Sequence, residues 1–135
     1  MPGYSGTPLA RKLGFTPGAK VLVMGDVPKE YADWVAPLPA GVRLSPRGKP
    51  PHAAVHVFVT QRADLVRQLP RLRRSLAPDG YVWVSWPKKS ARVATDVTED
   101  TIREVALPLG FVDVKVCAVS EVWSGLKLVI RVSDR

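Results

Sequence analysis

The sequence has a single cysteine, Cys117, so it cannot form a disulfide within the chain. It also has no apolar run near the 18 or more residues that a membrane-spanning helix needs. Residues 1–8, MPGYSGTP, lack the apolar stretch of a secretory signal. From these absences we expect neither a disulfide-stabilised secreted scaffold nor a membrane protein. They predict a soluble cytoplasmic protein that makes no contact with a membrane.

Acidic residues are also few. The chain has 12 Asp and Glu and 20 Lys and Arg, which gives a net charge of +8. The chain has 135 residues, 46% of them apolar, which is enough for one core and too little for two. The sequence therefore predicts one basic domain over residues 1–135. Its N-terminal segment, residues 1–17, would hold a short helix, and residues 18–132 would form the core.

Three apolar runs predict buried strands at residues 20–25, 54–59 and 81–86. Each is bounded by turn residues, as is typical of parallel strands that are covered on both faces. A weaker strand is expected at 42–44. Apolar residues at helical spacing predict helices over 27–36, 63–76 and 98–109, with Asp26 as the N-cap of the first. Strands that alternate with helices in this way form a three-layer α/β domain.

The last two strands follow a different pattern. Apolar and polar residues alternate over 111–119 and 126–132, which indicates an antiparallel hairpin with one solvated face, and Ser124-Gly125 is its expected turn. Only eight residues separate Leu44 from Ala53, too few for the helix that usually joins parallel strands. The predicted fold class is therefore α/β, with a shortened, mostly parallel sheet that a C-terminal hairpin closes.

This order of elements resembles the Rossmann-like fold of S-adenosylmethionine-dependent methyltransferases, with one strand–helix unit missing. The resemblance covers about residues 18–132 and implies a nucleoside site beyond the carboxyl ends of the strands. The residues of such a site are poorly represented, because the turn after the first strand, Gly25-Asp26-Val27-Pro28, has a single glycine. Arg47 and Lys49 stand where an acidic residue would bind the ribose hydroxyls. We therefore expect no cofactor.

A closer resemblance rests on three parts of the chain: GYSGTPL with KLG near the start, WPKK at residues 86–89, and DVKVCAV with WSGLK between residues 113 and 127. Together they resemble a family of short bacterial proteins known as a domain of unknown function. The resemblance implies the same fold and a bacterial cytoplasmic setting. It implies no catalytic residue, and none is predicted.

A ligand at the carboxyl ends of the strands would be small and anionic. The residues predicted to contact it follow the strand ends or belong to an N-terminal segment that could close over them: Gly25, Asp26, Thr60, Ser85, Trp86, Lys88, Lys89, Tyr4 and Ser5. Each group has a structural alternative, since the two lysines fit a solvated loop and Thr7 fits a simple helix cap. His52 and His56 would stand about 13 Å apart along a strand, too far to share a metal ion, so no metal site is predicted.

Two surfaces could meet a partner. Trp123, Ser124 and Lys127 are expected at the tip of the hairpin, unless the tryptophan folds back over the edge of the sheet. On the helix over 63–76, Arg67, Arg71 and Arg74 line the side opposite the leucines, as a solvated face or as a surface for a polyanion.

Three functions remain open. The leading hypothesis is a non-catalytic binding or accessory protein with a degenerate nucleotide site. One alternative is a compact methyltransferase with an altered cofactor loop, and another, not favoured, is a nucleic-acid-binding accessory protein. The short helices also predict a homodimer, because a parallel sheet needs both of its faces covered.

Overall fold

The computed structural model describes residues 6–135, which are organised around a six-stranded sheet. The strands are β1 Lys20–Gly25, β2 Arg43–Ser45, β3 His52–Phe58, β4 Leu76–Pro87, β5 Phe111–Ala118 and β6 Trp123–Ile130. The α-helices of the described residues are α1 Leu9–Lys12, α2 Tyr31–Val35, α3 Arg62–Ser75 and α4 Glu99–Ala106. No helix in this part of the chain is both long enough and apolar enough to cross a membrane.

The strand order is β2-β1-β3-β4-β6-β5. The first four strands are parallel, whereas β6 runs antiparallel to both β4 and β5. The predicted α/β class, with a mostly parallel sheet and a C-terminal antiparallel hairpin, is thus confirmed. Because the chain leaves β1 toward β2 and returns on the other side to β3, the strand order reverses between β1 and β3.

Each face of the sheet has its own layer of helices. Val55, Val57 and Val84 share one core with the leucines of α3 and with α4, so we call this side the α3/α4 face. The intervening residues, such as Val21 and Val23, pack with α1 and α2 on the opposite side, the α1/α2 face. Side chains that alternate between two apolar layers explain why the strands read as continuous apolar runs.

The connection from β2 to β3 contains no helix, as the short spacing predicts. Residues 46–51, the crossover segment, carry the chain from one side of β1 to the other. The α3/α4 face of β1 and β2 is covered only in part, since Leu22 and Met24 are half-buried while Val21 and Val23 are buried.

Two predictions about the loops around α2 and before β6 are wrong. The helix expected over 27–36 is shorter: α2 begins at Tyr31, and Glu30 rather than Asp26 stands at its N-cap. Ser124-Gly125 is not a turn, because both residues pair within β6. The chain reverses before Trp123, where Ser120 Oγ accepts hydrogen bonds from the backbone N–H groups of Val122 and Trp123.

Trp83 holds the N-terminal helix against the sheet, and we predict a measurable loss when that bond is removed. Its buried indole Nε1–H donates to the carbonyl oxygen of Leu13 at 2.9 Å. Trp83→Phe leaves this carbonyl buried without a donor and is expected to lower the free energy of unfolding by about 1–3 kcal/mol in urea titration. Trp34→Phe is the control, because Trp34 is half-buried and its indole N–H has no described hydrogen bond. Equal losses in the two variants would contradict the prediction.

Candidate functional site

The carboxyl ends of β1 and β3 meet where the strand order reverses, the position at which open α/β sheets bind ligands. Gly25 ends β1 with φ +89°, in the left-handed region that favours glycine. A Cβ atom at this position would overlap the carbonyl oxygen of Phe58 in β3. The glycine is therefore required by close contact between two strands.

The residues that follow these two strands are bonded to each other. The Asp26 N–H donates to the Phe58 carbonyl at 2.9 Å, and the Thr60 hydroxyl donates to Asp26 Oδ2 at 3.2 Å. The Thr60 carbonyl accepts from Thr95 Oγ1 at 2.6 Å and from the Asp96 N–H at 3.3 Å. The segment before α4 is thus fastened across the end of β3.

A hydrogen-bonded group of three side chains lies on the α1/α2 face, and sequence reasoning missed it. Tyr31 Oη lies 2.8 Å from His56 Nδ1, and His56 Nε2 lies 2.7 Å from Ser85 Oγ. His56 and Ser85 are fully buried, and Tyr31 is nearly so. The group joins α2, β3 and β4. The sequence does contain one sign of this group, because His56 interrupts the apolar run AVHVFV. That histidine was weighed only as a possible metal ligand.

Burial fixes the protonation of this group. It lowers the pKa of His56 to about 3, because the imidazolium would lose its hydration, and it raises the pKa of the Tyr31 hydroxyl. A neutral imidazole has one N–H, so His56 donates to one of its two partners and accepts from the other. A serine beside a histidine resembles half of a hydrolase relay. Ser85 is fully buried, so the carbonyl group of a substrate could not reach its Oγ atom.

Aromatic rings close over the histidine. The ring of Phe58 stacks on His56 at 4.4 Å between centroids, and Trp123 meets Phe58 edge-on at 5.0 Å. Trp123 is therefore buried against the sheet, which is the alternative that the sequence left open, and is not exposed at a hairpin tip. Ser124 is half-buried in β6, and the Lys127 ammonium lies 4.7 Å from the centroid of the Tyr81 ring. Burial, followed by the charge of Lys115, lowers the pKa of Lys127.

The predicted ligand residues are only partly brought together. Gly25, Asp26 and Thr60 meet at the strand ends, but Ser85 and Trp86 are buried. Lys88 is half-buried and Lys89 is exposed, and the Lys88 N–H donates to the Val122 carbonyl beside the hairpin turn. Their role in binding stays a prediction. Tyr4 and Ser5 lie outside the described residues, and the cap predicted at Thr7 is wrong, since Pro8 stands at the N-cap of α1.

The arginines of α3 lie where the sequence places them. Arg67, Arg71 and Arg74 are exposed, and Arg67 forms an ion pair with Asp64 at 2.9 Å. Whether they contact a polyanion stays a prediction. No group of three or more His, Cys, Asp or Glu within residues 6–135 could hold a metal ion.

A shallow cleft of about 320 Å³ adjoins the end of β1 and lies between the loop before α2 and the end of β2. Its walls are mostly apolar, from Val23, Val27, Pro28 and Leu44. Ser45 lies at the end of β2, and its Oγ accepts from the Arg47 N–H at 3.2 Å. No carboxylate lines this cleft among the residues that the structure describes.

The fold is shared with methyltransferase-like structures. The fibrillarin pre-rRNA processing protein of Methanococcus jannaschii aligns at 14% identity over 93% of this chain and 69% of that one, with a TM-score of 0.61. The Aeropyrum pernix fibrillarin, solved with natively bound S-adenosyl-L-methionine, aligns at 14% identity over 94% and 70%, with a TM-score of 0.61. Ribosomal protein L11 methylase of Lactobacillus delbrueckii subsp. bulgaricus aligns at 15% identity over 91% and 75%, with a TM-score of 0.52. Identities this low show the fold alone.

Sequence comparison identifies a family rather than a function. A family model described as "Protein of unknown function (DUF3052)" matches residues 52–132. No curated protein matches the chain in sequence.

Proposed function

The chain belongs to the DUF3052 family of proteins of unknown function, and from this premise we propose that it is a non-catalytic binding or accessory protein built on the methyltransferase fold. The ligand that we propose is small and anionic, in keeping with the net charge of +8. One observation carries the proposal: Gly25 and Asp26 of the turn after β1 are engaged with Phe58 and Thr60, so the polar groups of the turn are used within the protein and the cleft beside it is left mostly apolar.

The residues at this position do not fit S-adenosylmethionine. Gly25 lacks a Cβ atom and adopts a left-handed conformation, and both are needed for its close contact with Phe58. They therefore serve the packing of the sheet rather than the binding of a ligand. Asp26 is held by Thr60, and Glu30 and Asp33 add negative charge at the start of α2, where the ligand's carboxylate would lie. The ribose diol would find Ser45 in place of a carboxylate at the end of β2.

Isothermal titration with S-adenosylmethionine and S-adenosylhomocysteine tests this proposal. We expect no binding up to about 1 mM, which corresponds to less than about 4 kcal/mol of binding free energy. The same titration against a known methyltransferase serves as the positive control. A micromolar Kd for either compound would overturn the proposal in favour of a compact methyltransferase that uses the 320 Å³ cleft.

Self-association stays a prediction. Its basis is the incomplete cover on the α3/α4 face of β1 and β2, where Leu22 and Met24 are half-buried. Light scattering at rising concentration tests it, and a monomer throughout would contradict it.

A further inference from the structure

A second opening, larger than the cleft beside the end of β1, shares only Ser45 with that cleft among its lining residues. It is a cleft of about 610 Å³ at the amino ends of β1, β2 and β3, between the sheet and the crossover segment. Ala19, Lys20 and Leu22 come from β1 and the residues before it, and His52 and Ala53 begin β3. This volume is within the range of about 300–1,000 Å³ that is typical of small-molecule sites.

The lining of this cleft carries charge of one sign. Lys20 and Arg43 reach it from the starts of β1 and β2, and Arg47 and Lys49 reach it from the crossover segment. No acidic side chain lines the cleft, and none of these four cations forms an ion pair with any described residue. All four are exposed, so their repulsion is weak in water, but together they give the opening a positive potential that attracts an anion.

The floor of the cleft is apolar, because this part of the sheet has no helix over it. Leu22 and Ala53 lie on the floor, Pro51 belongs to the crossover segment, and His52 is half-buried beside Gly48. Parallel sheets are normally covered on both faces, so an uncovered apolar strip is available to the flat part of a ligand. An apolar floor with a cationic rim suits a molecule that has both a ring system and several negative charges.

We propose that this cleft binds a nucleotide, with its phosphates between Lys20, Arg43, Arg47 and Lys49 and its base against the apolar floor. The proposal deepens the binding function proposed above by naming a site and a ligand class, and it uses none of the residues at the end of β1. Single-stranded nucleic acid is less well suited, because such grooves stack bases on aromatic side chains and the lining has only His52. Arginine and lysine bind phosphate through charge-assisted hydrogen bonds, which are stronger than hydrogen bonds between neutral groups.

The test is isothermal titration of the whole chain with ATP, inorganic tripolyphosphate, adenosine and a 12-nucleotide single-stranded RNA, in about 50 mM salt, where phosphate contacts are weakly screened. We expect micromolar binding of ATP, at least tenfold weaker binding of tripolyphosphate, and no measurable binding of adenosine. Arg43→Gln/Arg47→Gln is expected to weaken ATP binding by about a hundredfold, since each lost charged hydrogen bond is worth about tenfold or more.

The matched control is Arg71→Gln/Arg74→Gln, which removes the same charge from the exposed side of α3 and should leave ATP binding within about twofold. Thermal unfolding of both variants checks that they fold. No ATP binding, equal losses in the two variants, or equal affinity for ATP and tripolyphosphate would overturn the proposal. So would RNA that binds more than tenfold tighter than ATP and is weakened by the α3 variant. S-adenosylmethionine is not a probe here, so failure of this site and failure of the proposed function are distinguishable.

Discussion

Replacing Gly25 with alanine is expected to lower the free energy of unfolding by about 3 kcal/mol or more. The φ of +89° is costly for any residue with a Cβ atom, and here that atom would also overlap the Phe58 carbonyl oxygen. The atom that it would overlap belongs to the backbone of the neighbouring strand β3, so the partner cannot move away cheaply. Urea titration at neutral pH measures the loss.

Gly18→Ala separates the two causes. Gly18 has φ +78°, close to that of Gly25, but a Cβ atom there would meet nothing within 4 Å. Its cost is therefore that of the backbone conformation alone, about 1 kcal/mol. Equal losses in the two variants would mean that Gly25 has no special contact with β3. In that case the closure of the fold's usual nucleoside position would lose its main support.

The free energy of unfolding is also expected to fall by about 2 kcal/mol between pH 7 and pH 5. Burial lowers the pKa of His56 from 6.5 in the unfolded chain to about 3 in the folded protein. Below pH 6.5 the unfolded state takes up a proton that the folded state does not, so stability is fully present above pH 6.5 and is lost progressively down to about pH 3. The interval above pH 5 is the useful one, because most carboxylates stay ionised there in both states.

His56→Asn tests the assignment. An amide cannot titrate in this range, so the variant should lose this pH dependence even if it is less stable at every pH. The measurement is a series of urea titrations at half-unit steps of pH, and the slope between pH 7 and pH 5 is compared with that of the unmodified chain. A slope that persists in the variant would show that another group takes up the proton.

Much of the fold was predictable because its strands are bounded by turn residues. The runs at 20–25, 54–59 and 81–86 became β1, β3 and the second half of β4, and the spacing before Ala53 correctly excluded a helix. One local error arose because more than one residue could serve as the N-cap of α2. Asp26 is a good N-cap by type, but the chain stays non-helical through Pro28 and α2 starts at Tyr31.

The site was less predictable because a run that is apolar on both faces hides which side each residue points to. Ser85 was expected at the strand ends, yet it lies opposite Phe58 on the α1/α2 face and bonds to His56. The spacing of 25 residues from Tyr31 to His56 and 29 from His56 to Ser85 follows no helical or strand period, so only the tertiary fold reveals their contact. Arg47 and Lys49 were recognised as departures from a nucleoside site. Their meeting with Lys20 and Arg43 depends on the path of the crossover segment.

The length of the crossover segment determines how far it arches above the sheet. Ser45 and Val55 both lie opposite Leu22, so His52 begins three residues back along β3, about 10 Å away along the strand, and two strand spacings, also about 10 Å, separate β2 from β3. The straight-line span is therefore about 14 Å, while the extended chain from Ser45 to His52 reaches roughly 23–25 Å. Because the extended segment is longer than this span, it arches away from β1. A deletion of two or three residues would pull the crossover segment against β1 and close the cleft between them. An insertion would raise the segment and enlarge the cleft. The length of this loop can therefore change the size of the cleft without altering the sheet.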